Sequence, residues 1–164
     1  MLKSDPGKQR LLTRQEAAEY ARARQQSRQT VVFTNGVFDL LHPGHVRYLR
    51  EARRLGDALI VGVNADVSVR RNKGPNRPLT PDVERAELLS ALDCVDAVVI
   101  FEEDTPDAII KAVQPDVLVK GADWPADQIV GRDTVEARGG RVVLMNVEPG
   151  HSTTALVQKI RRAP

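Results

Sequence analysis

Residues 30–45 read TVVFTNGVFDLLHPGH, and the order of features within them sets the fold. Thr30 to Thr34 is a β-branched and aromatic run, which reads as a buried strand. Asn35-Gly36 is a turn signal that ends it. Pro43 suits a first helical turn, where its missing N–H costs nothing, and VRYLREARRL carries that helix to a stop at Gly56. Outward from this stretch the alternation repeats. ALIVGV (58–63), DAVVIF (96–101), DVLVK (116–120) and RVVLMN (141–146) are further apolar strands. Between them fall a short helix near Asp66, a loop KGPNRPLT (73–80) and helices over 82–92, 105–113 and 128–138. A last helix begins at Ser152. Upstream, Thr13 caps a helix over 14–26, and residues 1–12 read as frayed. Continuously apolar strands alternating with helices predict an α/β fold, a doubly wound, five-stranded parallel sheet covered on both faces. The expected division is an N-terminal extension and helix at 1–29 and a single α/β domain at 30–164.

Composition narrows the function classes. A chain of 164 residues fits one domain, and 41% hydrophobic with 28% charged residues is ordinary for a globular protein. The lone cysteine, Cys94, excludes an intrachain disulfide. No run of 18 apolar residues exists to span a membrane, and the opening segment has no apolar stretch of signal-peptide length. The expectation is a cytoplasmic protein. A net charge of +2 with scattered Lys and Arg and 4% aromatics lacks the basic stripe and stacking platforms of a nucleic-acid binder.

The chemistry concentrates in GVFDLLHPGH. Gly36 suits a tight turn, and Gly44 lets backbone approach a ligand. The helix opened by Pro43 aims free N–H groups and its positive dipole end at whatever lies before it, a ready anion site. His42 and His45 are three apart, so both imidazoles reach one spot. Together with the helix end they suit phosphate oxygens and developing negative charge. In doubly wound sheets ligands sit beyond the carboxyl ends of the strands, where strand order reverses, and every motif here follows a strand end. The histidines and the cysteine are too dispersed for a zinc cage.

The motif resembles the signature of the cytidylyltransferase-like nucleotidyltransferases, a superfamily with a Rossmann-like fold whose His-x-Gly-His helix N-terminus holds the triphosphate. The likeness extends over about residues 30–162, through NGVFDLLHPGHVRYLREARRLGDALIVGVNAD, KGPNRP, FEEDTPDAIIKAVQPDVLVKGADW and STTALVQKIR. Over that span the chain is similar to D-glycero-β-D-manno-heptose 1-phosphate adenylyltransferases. These occur as the carboxyl-terminal domain of a bifunctional heptose kinase/adenylyltransferase and alone; with no kinase segment present, the stand-alone form is expected.

The resemblance implies that AMP passes from ATP to the sugar phosphate, giving ADP-heptose, a precursor of lipopolysaccharide, and pyrophosphate. It implies catalytic roles for His42, His45 and Lys73. It implies nucleotide and phosphate contacts from Thr34, Asn35, Gly36, Phe38, Gly44, Gly121, Asp123, Ser152 and Thr153, and acceptor contacts from Asp39, Arg77, Arg85 and Lys120. Several have plainer readings: Thr34 and Asn35 as turn chemistry, Asp39 as a local cap, Arg85 as an ordinary ion pair, Ser152 as a helix cap. Mg²⁺ is expected to bridge phosphates while keeping its waters, with no protein ligand cage. The stretch before Ser152, Val147-Glu148-Pro149-Gly150-His151, lacks the arginine that glycerol 3-phosphate cytidylyltransferases carry there, which favours the adenylyl branch. The alternatives are a cytidylyl- or adenylyltransferase for another small phosphate such as glycerol 3-phosphate, and a nucleotide-binding module without turnover. Partners are expected to be small molecules, with no nucleic acid or membrane, and with a homodimer as the commonest assembly. His151 fits no pattern and reads as incidental.

Overall fold

The computed structural model describes residues 11–146 and 150–163. Its strands β1 (Leu11–Leu12), β2 (Val31–Gly36), β3 (Ala58–Asn64), β4 (Ala97–Phe101), β5 (Val117–Gly121) and β6 (Arg141–Met145) form one sheet in the order β1-β4-β3-β2-β5-β6. Every pairing is parallel. The helices are α1 (Arg14–Gln26), α2 (Pro43–Arg53), α3 (Asp66–Lys73), α4 (Asp82–Ser90), α5 (Asp107–Val113), α6 (Arg132–Glu136) and α7 (Thr153–Arg162).

The sheet has six strands, one more than the sequence predicts. Leu11 and Leu12 pair with Val98 and Val99 at the free edge of β4. Two residues carry no periodicity, so only the waiting edge makes them a strand. Residues 1–10, the rest of the expected frayed segment, lie outside the described residues. The helix expected over 128–138 is shorter: a single 3-10 turn at Ala126–Gln128 precedes α6, and Gly131 between them is left-handed at φ 90°.

α1 begins where Thr13 predicts. The Thr13 hydroxyl accepts from the Glu16 N–H at 3.2 Å, and the Thr13 N–H donates to the Glu16 carboxylate at 2.8 Å, a reciprocal capping box. Ala17 and Ala21 of α1 are fully buried in one core cluster with Phe33, Ile60, Phe101, Ile109 and Leu118. The helix within the expected 1–29 extension is therefore packed into the same core as the sheet. On the opposite face Leu49 and Ala52 of α2 and Leu89 of α4 pack with Leu59, Val61 and Val119. Burying an aliphatic side chain this fully contributes about 1.5–3 kcal/mol. β3 is buried along its whole length, as a strand covered on both faces must be.

The topology opens the crevice. Strand order reverses at β2, which has β3 on one side and β5 on the other. β2 pairs with β3 through Gly36↔Val63, but with β5 only at Val32↔Val117 and Phe33↔Leu118. Beyond Phe33 the two strands diverge, and Thr34 holds the split. Its buried hydroxyl donates to the Val119 carbonyl at 3.0 Å and lies 2.9 Å from the Tyr48 hydroxyl. Asn35-Gly36, expected as a turn, continues β2 because Gly62 and Val63 of β3 offer it a ladder.

Candidate active site

Two hollows lie beyond the carboxyl ends of β2 and β5. One, of about 490 Å³, is lined by Asn64, Asn72, Asp104, Lys120 and Trp124. The other, of about 410 Å³, is lined by His42, Gly44, His45, Tyr48, Asp123 and residues 151–154. Asn35, Gly36, Val37, Lys73 and Gly121 border both. Lys73 also borders a third, of about 380 Å³, with Asp39, His45, Arg77, Thr153 and Thr154.

The histidines follow from the helix start. His42 is the N-cap of α2, and its Nδ1 accepts from the His45 N–H at 3.3 Å. That bond leaves the His42 proton on Nε2, a donor free for a ligand. The rings stack with centroids 3.7 Å apart and 17° between planes. Phe38 meets His45 edge-on at 5.2 Å. Burial, then the neighbouring charge of His42, pushes the His45 pKa down to about 4. Burial, then His151, lowers that of His42. Without a counter-anion both rings are held neutral at pH 7. The buried Nδ1 of His45 has no hydrogen-bond partner, the kind of orphan that an arriving ligand satisfies.

α7 supplies the facing wall. Ser152 is its N-cap and accepts from the Ala155 N–H at 3.0 Å, so its hydroxyl caps the helix. Thr153 and Thr154 border the hollows. A side chain at Gly44 would collide there, since a Cβ would lie 2.9 Å from the His151 Cβ and 3.0 Å from the His42 Nδ1. Glycine thus lets the start of α7 rest against the start of α2. On the opposite side, Lys120 is held by the Asn35 side-chain oxygen. Burial pushes its pKa down to about 8, so a negative ligand placed beside it stabilises its charged form.

A profile of cytidylyltransferase-like proteins matches residues 33–159, which carry all of this geometry. The chain belongs to the cytidylyltransferase-like family. It is a nucleotidyltransferase. It is 57% identical over 142 residues to the bifunctional protein HldE of Citrifermentans bemidjiense, covering 86% of this chain and 29% of that protein. Against the bifunctional protein HldE of Acidiphilium cryptum it is 55% identical, covering 93% of this chain and 31% of that one. The chain thus spans under a third of the length of these curated relatives. Among solved structures it is similar to a lipopolysaccharide core biosynthesis protein from Thermoplasma volcanium, with TM-score 0.60, 32% identity and coverage of 73% of this chain and 97% of the other.

Within this transferase, His42, Gly44, His45, Lys73, Asn35, Gly36, Gly121, Asp123, Ser152 and Thr153 all border the histidine hollow. Of the others expected in contact with substrate, Phe38, Asp39 and Arg77 also line a hollow, whereas Thr34 and Arg85 line none of the three. Thr34 is wholly buried and its hydroxyl is engaged between strands, so it is no phosphate contact here. Phe38 lines the histidine hollow and the third hollow with its ring edge-on to His45, and a Cβ on Gly36 would press on that ring at 3.1 Å; Gly36 itself continues β2 instead of making a turn. Asp39, expected at the acceptor, is a loop clamp. Its carboxylate accepts from the Leu79 and Thr80 N–H groups at 2.8 and 3.0 Å and pairs with Arg77 at 2.9 Å. Arg77 makes that pair and itself lines the third hollow.

Arg85 departs most from expectation. Its side chain is 0% exposed, and it donates to the Val37 carbonyl, the Thr80 carbonyl and Asp66. It braces the loop before His42 against the loop after Lys73 and cannot touch an acceptor from there. Residues 147–149, part of the stretch lacking the arginine, lie outside the described residues. Sequence reasoning passed over Tyr48, Asn64, Asn72, Asp104, His151 and Thr154 as lining residues. The hydroxyl run of residues 152–154 carries a signal for Thr154; for the others only the folded crevice reveals the placement.

Proposed function

We propose that this nucleotidyltransferase transfers AMP from ATP to D-glycero-β-D-manno-heptose 1-phosphate, with the triphosphate in the histidine hollow and the sugar phosphate in the Lys120 hollow. The observation that carries this reading is the shared rim, where Lys73, Asn35 and the Gly36 and Gly121 backbone border both hollows. An α-phosphate at that rim lies within reach of a nucleophile on one side and a leaving group on the other. A phosphate oxygen of the acceptor attacks the α-phosphorus, and the bond to the β-phosphate oxygen breaks with its electrons passing to pyrophosphate. A phosphomonoester has its second pKa near about 6, so the nucleophile is already anionic at pH 7 and needs no general base.

The protein's part is positioning and charge stabilisation. His42 donates from Nε2, Lys73 brings a mobile cation, and the first turns of α2 and α7 present their N–H groups. Burial lifts Tyr48 to about 12, so its hydroxyl stays protonated and acts in packing, not as a base. The polar Asn64, Asn72 and Asp104 side chains suit a polyhydroxylated acceptor. Among the described residues no group of three metal-ligating side chains assembles. Asp123 is the carboxylate bordering the histidine hollow, and it would hold a Mg²⁺ that enters with the nucleotide. When bound, the ion would neutralise phosphate charge.

The test is pyrophosphate release with ATP and heptose 1-phosphate, set against CTP and GTP and against glycerol 3-phosphate. Turnover only with CTP and a polyol phosphate overturns the substrate assignment. His42→Ala and His45→Ala should each lose more than about tenfold, or ~1.4 kcal/mol, of transition-state stabilisation; smaller losses in folded variants would remove the assigned roles.

A further inference from the structure

His151 stands outside the His-x-Gly-His motif, yet the fold brings it to the same wall. Its ring lies 6.1 Å from that of His42, with 22° between planes, and His42 in turn stacks on His45. The three imidazoles form a column. The column runs outward from the reacting rim: His45 borders the third hollow beside Lys73, whereas His151 borders only the histidine hollow. His151 directly precedes Ser152, the cap of α7. The imidazole has a ring contact but no hydrogen bond among the described residues.

We propose that His151 is a third phosphate-holding imidazole, which donates to the outer phosphates of the nucleotide and retains the leaving pyrophosphate. The inference rests on the nucleotidyl-transfer reading. Burial first and the neighbouring rings second disfavour charge on His42 and His45. A polyanion offsets that penalty. The other titratable groups bordering the hollow are Tyr48 of α2, Lys73 of α3 and Asp123 after β5; of these only Asp123 brings negative charge. Three imidazoles and Lys73 face one carboxylate there, so N–H donors and a cation outnumber the single negative group, a lining that suits a ligand supplying its own negative charge.

The experiment uses the whole chain and inorganic pyrophosphate as the probe, by calorimetry, with ATP turnover measured in parallel. His151→Ala removes ring and donor. His151→Phe keeps the ring against His42 but has no donor. His151→Gln keeps an N–H donor without the aromatic ring. His151→Ala and His151→Phe should each weaken pyrophosphate binding by about tenfold, the loss of one hydrogen bond to a charged group, and raise KM for ATP more than they lower kcat. His151→Gln should recover most of the affinity, and all variants should melt with the parent. Pyrophosphate binding by His151→Phe within about twofold of the parent would show that the ring only packs, and would overturn the proposal. A parent that turns over ATP normally while His151→Ala binds pyrophosphate unchanged overturns it too, leaving the transfer reading intact. A parent that neither binds pyrophosphate nor releases it removes both.

Discussion

Replacing Arg85 with methionine separates a bracing residue from an acceptor contact. The guanidinium donates through Nε to the Thr80 carbonyl at 2.9 Å, and through its two terminal nitrogens to the Val37 carbonyl at 2.6 Å and Asp66 at 2.7 Å. Methionine fills much of the same volume but supplies no donor. Removing one partner of a buried ion pair costs about 3–5 kcal/mol. Asp66 is 24% exposed, so water takes up part of its charge and the cost falls near the lower end. The two stranded carbonyls add about 1 kcal/mol each. A total of about 4–5 kcal/mol is a large part of the roughly 5–15 kcal/mol that holds a domain together. At about 2–4 °C per kcal/mol the melting temperature should fall by about 10 °C or more. Urea denaturation of the parent, Arg85→Met and Arg85→Lys measures this, with lysine intermediate because a point charge cannot serve three acceptors spread around a planar fork. If Arg85→Met is as stable as the parent to within about 0.5 kcal/mol, the size of an ordinary surface change, and only KM for the acceptor rises, the bracing argument is refuted.

Further outcomes follow from the same geometry. The His45 pKa is depressed from 6.5 to about 4, so the unfolded chain takes up that proton first. Stability is then full above about pH 6.5 and declines as pH falls toward 4, by at most about 3 kcal/mol and less where solvent screens a partly exposed ring. His45→Asn should lose less stability than the parent between pH 7 and 4.5 in urea titrations, and equal losses would refute the assignment. Gly44→Ala places a Cβ 2.9 Å from that of His151; a helix-propensity gain of about 1 kcal/mol offsets the strain, so melting should change little while transfer falls by about tenfold. Transfer at the parental rate would show that α7 can shift freely. Asp39→Asn keeps an oxygen for the Leu79 and Thr80 N–H groups but removes the charge facing Arg77. Limited proteolysis within residues 74–80 should accelerate and kcat should fall several-fold, by about 1 kcal/mol; an unchanged digestion rate would count against the clamp.

Elements with strong local chemistry were legible in the sequence. Thr13 with Glu16 marks the start of α1, Pro43 the start of α2 and Ser152 the cap of α7. The continuously apolar strands announce a parallel sheet. Cap and proline signals act within four residues, and a strand buried on both faces has no polar side to hide. Three features were not legible: Leu11–Leu12, the strand continuing through Asn35-Gly36, and the inward roles of Arg85, Asp39 and Thr34. Each depends on a partner far along the chain. β1 needs the edge of β4, Gly36 needs Val63, and Arg85 needs Val37 and Asp66. A charged residue in a helix reads as exposed until the fold shows three acceptors converging on it.

The sequence by itself determined the parallel α/β framework, the family and the placing of both motif histidines at one helix start, because strand pattern, helix caps and His-x-Gly-His spacing are local. The tertiary structure decided what surrounds that helix start. The divergence of β2 from β5 after Phe33 makes the crevice, and the bare α-carbon of Gly44 lets α7 close against α2 so that His151 joins the column. Those outcomes turn on contacts between segments distant in the chain, and distance in three dimensions is not written in spacing along one.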